Sequence, residues 1–302
     1  MNVGVVGGSG FIGSHVLGRL KAEGHQVTDF DIMPPVGAAD RHIYVDILDL
    51  SKTLIALAGE YEALYMLAAM ANVGDVFKNP TEAVEVNVTG TVNVLEAVRR
   101  HDIPRVVLAS TVWVYSASTA NECTEDSPLT PGKVDHVYTA TKIASELLTH
   151  SYARLYGIKY TVLRYGIPYG PGARSGTAIA EFVKRAFART PITIHGDGLQ
   201  RRRFLYVKDL AEANVLALSQ TGANKTYNVD GREEVAIIDV ARKVNDLIGP
   251  VEIKFIEARP GDYAPKNISS QLIESELGWK PATPLNEGLK RYIDWYRATK
   301  KK

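Results

Sequence analysis

The feature that most limits what this chain can fold into is the alternation of strand-like and helix-like segments through its first 165 residues. Short runs rich in Val, Ile, Leu and Tyr fall at Val3–Val6, Val27–Phe30, Ile43–Val45, Ala63–Leu67, Val106–Ser110 and Thr161–Arg164. Several are apolar without alternation, the pattern of strands covered on both faces of a sheet. Between them the apolar residues take helical spacing, as at Ile12, Val16, Leu17 and Leu20, and again at Val88, Val92, Leu95 and Val98. Asn79-Pro80 precedes the second helix, and Asp102-Ile103-Pro104 breaks it. Strands separated by helices need right-handed crossovers, so the sheet is expected to be parallel and doubly wound, an α/β fold.

After Tyr165 the texture changes. Gly166, Pro168, Gly170, Pro171, Gly172 and Gly176 crowd eleven residues and mark a loop leaving the sheet. Helical patterns return at Ile179–Ala188, Asp209–Ser219, Ile238–Leu247 and Leu285–Arg297, with strand-like Pro191–Ile194 and Thr226–Val229 among them. The expected organisation is a nucleotide-binding domain over residues 1–166, with 206–230 returning to it. A smaller, interleaved C-terminal α/β substrate-binding domain is expected from 167–205 and 231–302.

Composition excludes several classes. A formal net charge of +1, from 35 basic and 34 acidic residues, lacks the footprint of a nucleic-acid binder. The single cysteine, Cys123, excludes an internal disulfide and a cysteine zinc site, and no metal is expected. No apolar run reaches the length of a membrane span. The chain enters its first strand at Asn2-Val3-Gly4-Val5-Val6 without a basic leader, so a cytoplasmic location is expected.

The chemistry-bearing residues follow strand ends. Gly7, Gly10 and Gly13 lie between the first strand and the first helix. That spacing permits a tight turn, close backbone approach to a pyrophosphate and close helix–sheet packing, with the helix N-terminus aimed at the phosphates. Asp31, 18 residues beyond Gly13, ends the second strand, where a carboxylate binds an adenosine ribose and repels a 2′-phosphate. NAD is therefore expected over NADP, although neighbouring Asp29 is a second candidate for the acid. Tyr138 and Lys142 stand at i and i+4, on one helix face. A phenol with a pKa near ~10 is a poor base, and a nearby ammonium together with a positively charged nicotinamide would bring it into range. Thr111 ends the fifth strand, on the edge where parallel sheets bind ligands. Its hydroxyl is placed to orient the oxygen that Tyr138 deprotonates.

With these residues in place, the sequence resembles the extended short-chain dehydrogenases/reductases, specifically the NAD-dependent nucleotide-sugar epimerase/dehydratase group, UDP-glucose 4-epimerase-like in type. The resemblance covers nearly the whole chain. Its glycine fingerprint matches Gly7, Gly10 and Gly13, and its strand-end acid matches Asp31. Its adenine-contacting segment matches Asp46-Ile47, and its His-Leu-Ala-Ala stretch appears as Met66-Leu67-Ala68-Ala69. The Asn-Val-x-Gly-Thr helix start is Asn87–Thr91, and the hydroxyl, tyrosine and lysine are Thr111, Tyr138 and Lys142. Leu163-Arg164-Tyr165, Tyr169-Gly170-Pro171, Arg202-Arg203-Phe204, Tyr227-Asn228-Val229, Arg259-Pro260-Gly261-Asp262 and Leu277–Pro281 follow in the family order.

The resemblance implies a Rossmann-type fold and a cofactor contacted by Gly7, Gly10, Phe11, Ile12, Gly13, Asp31, Ile32, Asp46, Ile47, Leu67, Ala68, Ala69, Asn87, Tyr138, Lys142 and Tyr165. It implies a substrate contacted by Thr111, Tyr138, Ile167, His195, Arg202 and Arg259. The implied activity is C4 epimerisation of a nucleotide-linked sugar, of the UDP-glucose/UDP-galactose type, through a transient 4-keto sugar. A nucleotide-sugar 4-ketoreductase or dehydrogenase is an alternative, and a non-catalytic NAD-binding sensor or scaffold is another of a different class. A homodimer through a four-helix bundle formed by helices near 88–101 and 140–155 is implied as well. Four departures bear on substrate: Ile167 stands where many members carry Asn, Arg203 where they carry Asp, and His195 where an aromatic often lies. Val112 and Trp113 stand where dehydratases carry the Asp-Glu pair that eliminates water.

Overall fold

A computed structural model of the chain describes residues 1–257 and 266–300. The first half lays down β1 (Asn2–Val6), α1 (Phe11–Ala22), β2 (Gln26–Asp31), β3 (Arg41–Tyr44), α2 (Leu50–Ala56) and β4 (Ala63–Met66). Then follow α3 (Val73–Lys78), α4 (Pro80–Val84), a π turn at Glu85–Thr89, α5 (Gly90–Arg100), β5 (Arg105–Thr111), α6 (Val137–Tyr156) and β6 (Lys159–Tyr165). The second half contains β7 (Ile167–Tyr169), α7 (Ala178–Phe187), β8 (Ile192–His195), β9 (Arg201–Tyr206), α8 (Val207–Leu216) and β10 (Lys225–Val229). It closes with β11 (Glu234–Ala236), α9 (Ile237–Ile248), β12 (Ile253–Ile256), α10 (Gln271–Leu277) and α11 (Leu285–Thr299).

Seven strands form one sheet in the order β10-β6-β5-β4-β1-β2-β3. Every pair in it is parallel. Successive residues of β1 serve opposite faces. Val3 and Val5 join a core with Val16, Leu17 and Leu20 of α1 and with Leu210 and Ala213 of α8. Val6 joins Phe30, Leu64, Val94, Leu95 and Val98 under α5. A sheet buried on both faces explains why its strands read as unbroken apolar runs.

The remaining elements build a second, smaller assembly. β11-β9-β7 form one short sheet and β12-β8 another. Their core is Ile179, Phe182 and Val183 of α7, Val240 and Val244 of α9, and Leu289, Tyr292 and Ile293 of α11. β10 returns to the first sheet and pairs along β6, from Lys225 beside Thr161 to Val229 beside Tyr165. No helix among the described residues is long and apolar enough to cross a membrane.

The strand order reverses at β1, which has β2 on one side and β4 on the other. Beyond the carboxyl ends of such strands a doubly wound sheet opens a crevice. Here the main chain after β4 wraps over it: the Leu67 and Ala68 N–H groups both donate to the Val6 carbonyl, at 2.8 and 2.9 Å.

Candidate active site

The glycine turn forms one wall of the crevice. Gly7 has φ +88°, and a Cβ there would lie 2.4 Å from the Ala68 nitrogen. A Cβ on Gly13 would lie 2.1 Å from the Gly7 carbonyl oxygen. Only hydrogen fits at either position, so α1 begins tight against the turn. Its N-cap, Gly10, offers no side chain to the first-turn N–H groups, and no acidic residue occupies that turn. These donors and the positive end of the helix dipole are left for an anion. Phe11 and Ile12 are half-buried at the helix start.

The structure gives Asp29 and Asp31 different surroundings. Asp29 is 0% exposed and committed to the Ser9 hydroxyl at 2.7 Å and to His42 Nδ1 at 2.8 Å. Asp31 is half-buried at the rim and accepts the N–H groups of Ser9 and Met33, at 3.0 and 2.9 Å. It therefore remains available to ribose hydroxyls. Ile32 beside it is exposed, Asp46 is exposed at an Asx turn with Leu48, and Ile47 packs under Gly90. The glycine cradle, the uncapped helix and the rim carboxylate fit a dinucleotide.

Two of the cofactor candidates have their polar groups bonded within the protein. Asn87 is buried and accepts the Met70 N–H at 2.8 Å while donating to the Met70 carbonyl and to the Thr141 hydroxyl, both at 3.0 Å. Through these bonds it anchors the Leu67–Met70 segment to α6. Tyr165 is buried in the core, and its hydroxyl donates to Asn214 Oδ1 at 2.6 Å. Its side chain points into the packing between sheet and α8, which leaves only its main chain at the crevice.

Helix α6 carries the reactive column. His136 caps it, its Nδ1 accepting the Tyr138 N–H at 3.2 Å, and Gly157 ends it in the left-handed region at φ 73°. Tyr138, Lys142 and Glu146 recur every four residues on the face that meets the carboxyl end of β5. The Thr111 side chain stands near enough to the Tyr138 phenol to favour its ionised form. Lys142 Nζ donates to the Ala109 carbonyl at 2.9 Å. Burial pushes the Tyr138 phenol up to about 12, and the Thr111 side chain opposes that rise. Burial brings the Lys142 ammonium down to about 8, against the pull of Glu146. The resting phenol is thus neutral, and Lys142 is turned to the Ala109 carbonyl.

Beneath Lys142, Glu146 and Arg164 form a buried pair, 2% and 6% exposed, with Nε–Oε1 at 3.1 Å and Nη2–Oε2 at 2.7 Å. The Ser110 hydroxyl donates to Glu146, and Arg164 also donates to the Tyr115 hydroxyl while lying 5.0 Å over its ring. Neither partner of this pair was among the sequence candidates. The signal was present: Glu146 continues the Tyr138-Lys142 spacing, and Arg164 sits within Leu163-Arg164-Tyr165. Trp113 stands edge-on to Tyr138 and His136, with ring centroids 6.3 and 5.8 Å apart, and walls the phenol with an apolar ring.

The substrate-side candidates are spread more widely. Ile167 on β7 pairs with Phe204 on β9, the strand that also carries Arg202. Arg202 is buried and donates to the Arg201 carbonyl at 2.9 Å. His195 ends β8 in the separate two-stranded sheet, its Nδ1 2.8 Å from the Glu257 carbonyl. Arg259, with the rest of Arg259-Pro260-Gly261-Asp262, lies outside the described residues. The loop between β7 and α7 reaches back over α1, where His15 Nε2 meets the Pro171 carbonyl at 2.8 Å.

Comparison with known proteins agrees with this geometry. The model of the NAD dependent epimerase/dehydratase family matches residues 3–230. A UDP-glucuronate 4-epimerase of Thermodesulfobacterium geofontis is 32% identical over 237 residues, covering 77% of this chain and 72% of its own. A solved UDP-glucose 4-epimerase of Thermotoga maritima, with UDP-glucose, superposes with a TM-score of 0.93 at 27% identity over 99% of both chains. A UDP-glucuronic acid 4-epimerase of Bacillus cereus, in complex with UDP-glucuronic acid and NAD, gives 0.89 at 27% identity, covering 99% of this chain and 100% of its own.

Proposed function

The chain belongs to the NAD-dependent epimerase/dehydratase family, and from that premise we propose that it inverts C4 of a UDP-linked hexose or hexuronic acid. The observation that carries the reading is the convergence of Tyr138, Lys142 and Thr111 at the carboxyl end of β5, where Lys142 bonds the Ala109 carbonyl, two strands from the glycine turn. At strand spacings near ~4.8 Å, the two features lie roughly 10 Å apart, a separation suited to the length of a dinucleotide. The names of the relatives support the C4 chemistry and the uridine nucleotide.

The roles divide as follows. Gly7, Gly10 and Gly13 hold the pyrophosphate of NAD through main-chain N–H groups, and Asp31 holds the adenosine ribose. When bound, NAD supplies the hydride acceptor and donor and a positive ring charge. Tyr138 takes the proton of the C4 hydroxyl and later returns it, while Thr111 fixes the orientation of that oxygen. Lys142 holds the nicotinamide ribose and lowers the phenol toward neutrality once it leaves Ala109. Residues 167–205 and 231–302 hold the nucleotide and sugar, with the loop at 166–176 closing over α1. Val112 and Trp113 bring no carboxylate to the pocket, which argues against elimination of water.

Two further parts of the reading stand on the same footing. Exposed Leu147 and Leu155 on α6, at 58% and 72%, support a homodimer in which this helix pairs with its copy. Light scattering at micromolar concentration tests that. The lone, buried cysteine supports a cytoplasmic setting.

Incubating the protein with UDP-, dTDP- and GDP-sugars and following products by proton NMR tests the function. The expected result is a UDP-sugar converted to its C4 epimer by protein that carries its own NAD. Conversion only with NAD(H) added in stoichiometric amounts would instead indicate a 4-ketoreductase or dehydrogenase.

A further inference from the structure

We infer that Glu146 is a positioning residue for the Tyr138–Lys142 couple: anchored by Arg164 and Ser110, its carboxylate keeps the Lys142 ammonium charged in a buried site. The inference deepens the function proposed above and rests on it for its catalytic consequence, though not for its electrostatic content.

The geometry makes the case. Lys142 is 6% exposed, and its one close polar contact on β5 is the neutral Ala109 carbonyl. An ammonium removed from water needs a nearby negative charge or it loses its proton. The groups that face it are few. On α6 they are Tyr138 one turn before and Glu146 one turn after. From β5 come the Ala109 carbonyl and the Ser110 and Thr111 hydroxyls. From β6 comes Arg164, which is bound to Glu146 and Tyr115, and from the π turn comes Asn87, bound through Thr141. Glu146 also faces His150 a further turn along α6. Among these, Glu146 is the single carboxylate.

The pair with Arg164 holds that carboxylate in place in the core. Both Glu146 oxygens are held, one by Arg164 Nε and the Ser110 hydroxyl, the other by Arg164 Nη2. Such bidentate, hydrogen-bonded ion pairs fix direction as well as charge. Burial lowers the Lys142 proton affinity, and Glu146 is the one group that raises it. Arg164 reaches Lys142 only across that carboxylate, to which its Nε and Nη2 are turned. The site therefore places a negative charge one helical turn from the ammonium and fixes it there with a guanidinium from β6.

The test is a titration of the resting protein with lysine labelled by 13C at Cε, in which the Lys142 resonance is identified by its loss in Lys142→Arg. In the wild type its midpoint should lie near 8. In Glu146→Gln it should fall by about one pH unit or more, a tenfold weaker hold on the proton, and Glu146→Asp should restore most of the difference. An unmoved midpoint in Glu146→Gln would overturn the inference. If that variant does not fold, because Arg164 is left unpaired in the core, Glu146→Gln with Arg164→Met carries the same measurement. Its midpoint should fall by less than in Glu146→Gln, since the guanidinium beyond the carboxylate is removed with it, and an unchanged or higher value would again overturn the inference. With a UDP-sugar substrate, the alkaline limb of kcat should move to lower pH by the same amount in Glu146→Gln, whereas a purely structural role would lower kcat at all pH without moving the limb. A wild-type protein inactive on every UDP-sugar would sink the proposed function, and the titration would still decide the role of Glu146.

Discussion

Gly13→Ala and Gly18→Ala, one turn and a half apart on α1, should have opposite effects. The Cβ added at position 13 would lie 2.1 Å from the Gly7 oxygen, 2.7 Å from Gly8 Cα and 2.8 Å from the Gly8 oxygen. All three are backbone atoms, so no side chain can rotate out of the way, and helix and turn must part by about 1 Å to reach ordinary contact. Overpacking of this kind costs about 1–3 kcal/mol, against roughly 1 kcal/mol gained from replacing glycine in a helix. The net loss of up to ~2 kcal/mol corresponds to a melting temperature lower by roughly 4 °C in a chain of this size. NAD binding should suffer more. Moving the first-turn donors by about 1 Å breaks charge-assisted hydrogen bonds worth roughly 1.5–3 kcal/mol each, so Kd should rise about 10- to 100-fold. Position 18 has no atom within 4 Å of an added Cβ, so Gly18→Ala should melt at or above the wild type and bind NAD unchanged. Differential scanning fluorimetry and titration calorimetry with NAD read both quantities. A Gly13→Ala protein that binds NAD as tightly as Gly18→Ala and melts within a degree of it would refute the placement of the cofactor on this turn.

Other variants test the site from different sides. Lys142→Met should abolish turnover and yet stabilise the fold below pH 8. At about 1.4 kcal/mol per pH unit, the drop from 10.5 to about 8 amounts to roughly 3 kcal/mol of burial cost. Between those pH values the unfolded chain holds a proton that the folded chain lacks, so wild-type stability rises with pH there and the advantage of Lys142→Met shrinks. Thermal melts of both proteins from pH 6 to 10 check this, and a constant difference would contradict it. Asp31→Ser should weaken NAD about tenfold or more and admit NADP, as measured by fluorescence titration with both cofactors.

The parts of this molecule that were legible in its sequence are those fixed by local spacing. Both-face burial made the central strands read as apolar runs, and the glycine turn, Asp31 and the Tyr138–Lys142 step carry their geometry in their intervals. The π turn was not legible. The sequence gives a continuous helical pattern from Pro80 to Arg100, but Asn87 drives its amide between Met70 and Thr141, and the main chain bulges to let it in. The sheet of β7, β9 and β11 was missed for a different reason. Ile167-Pro168-Tyr169 is too short to show a period, and Arg201-Arg202-Arg203 carries no apolar alternation that would mark a strand before partners far away in sequence pair with it. The scaffold bonds of Tyr165 and Asn87 were not legible either, since their partners, Asn214, Met70 and Thr141, lie far away in sequence. Glu146 was overlooked because a carboxylate on a helix reads as surface, and its burial follows from Arg164, which reaches it from another strand.

The central claim is that Tyr138 works on the oxygen at C4 of a UDP-linked sugar whose C4 hydrogen leaves and returns within one closed site. It is tested most directly with UDP-glucose and UDP-glucuronic acid carrying deuterium at C4, followed by proton NMR in ordinary water. The account predicts the C4 epimer with deuterium still on C4, and no epimer from Tyr138→Phe that binds NAD normally. Deuterium lost to solvent, or full conversion by Tyr138→Phe, would contradict it.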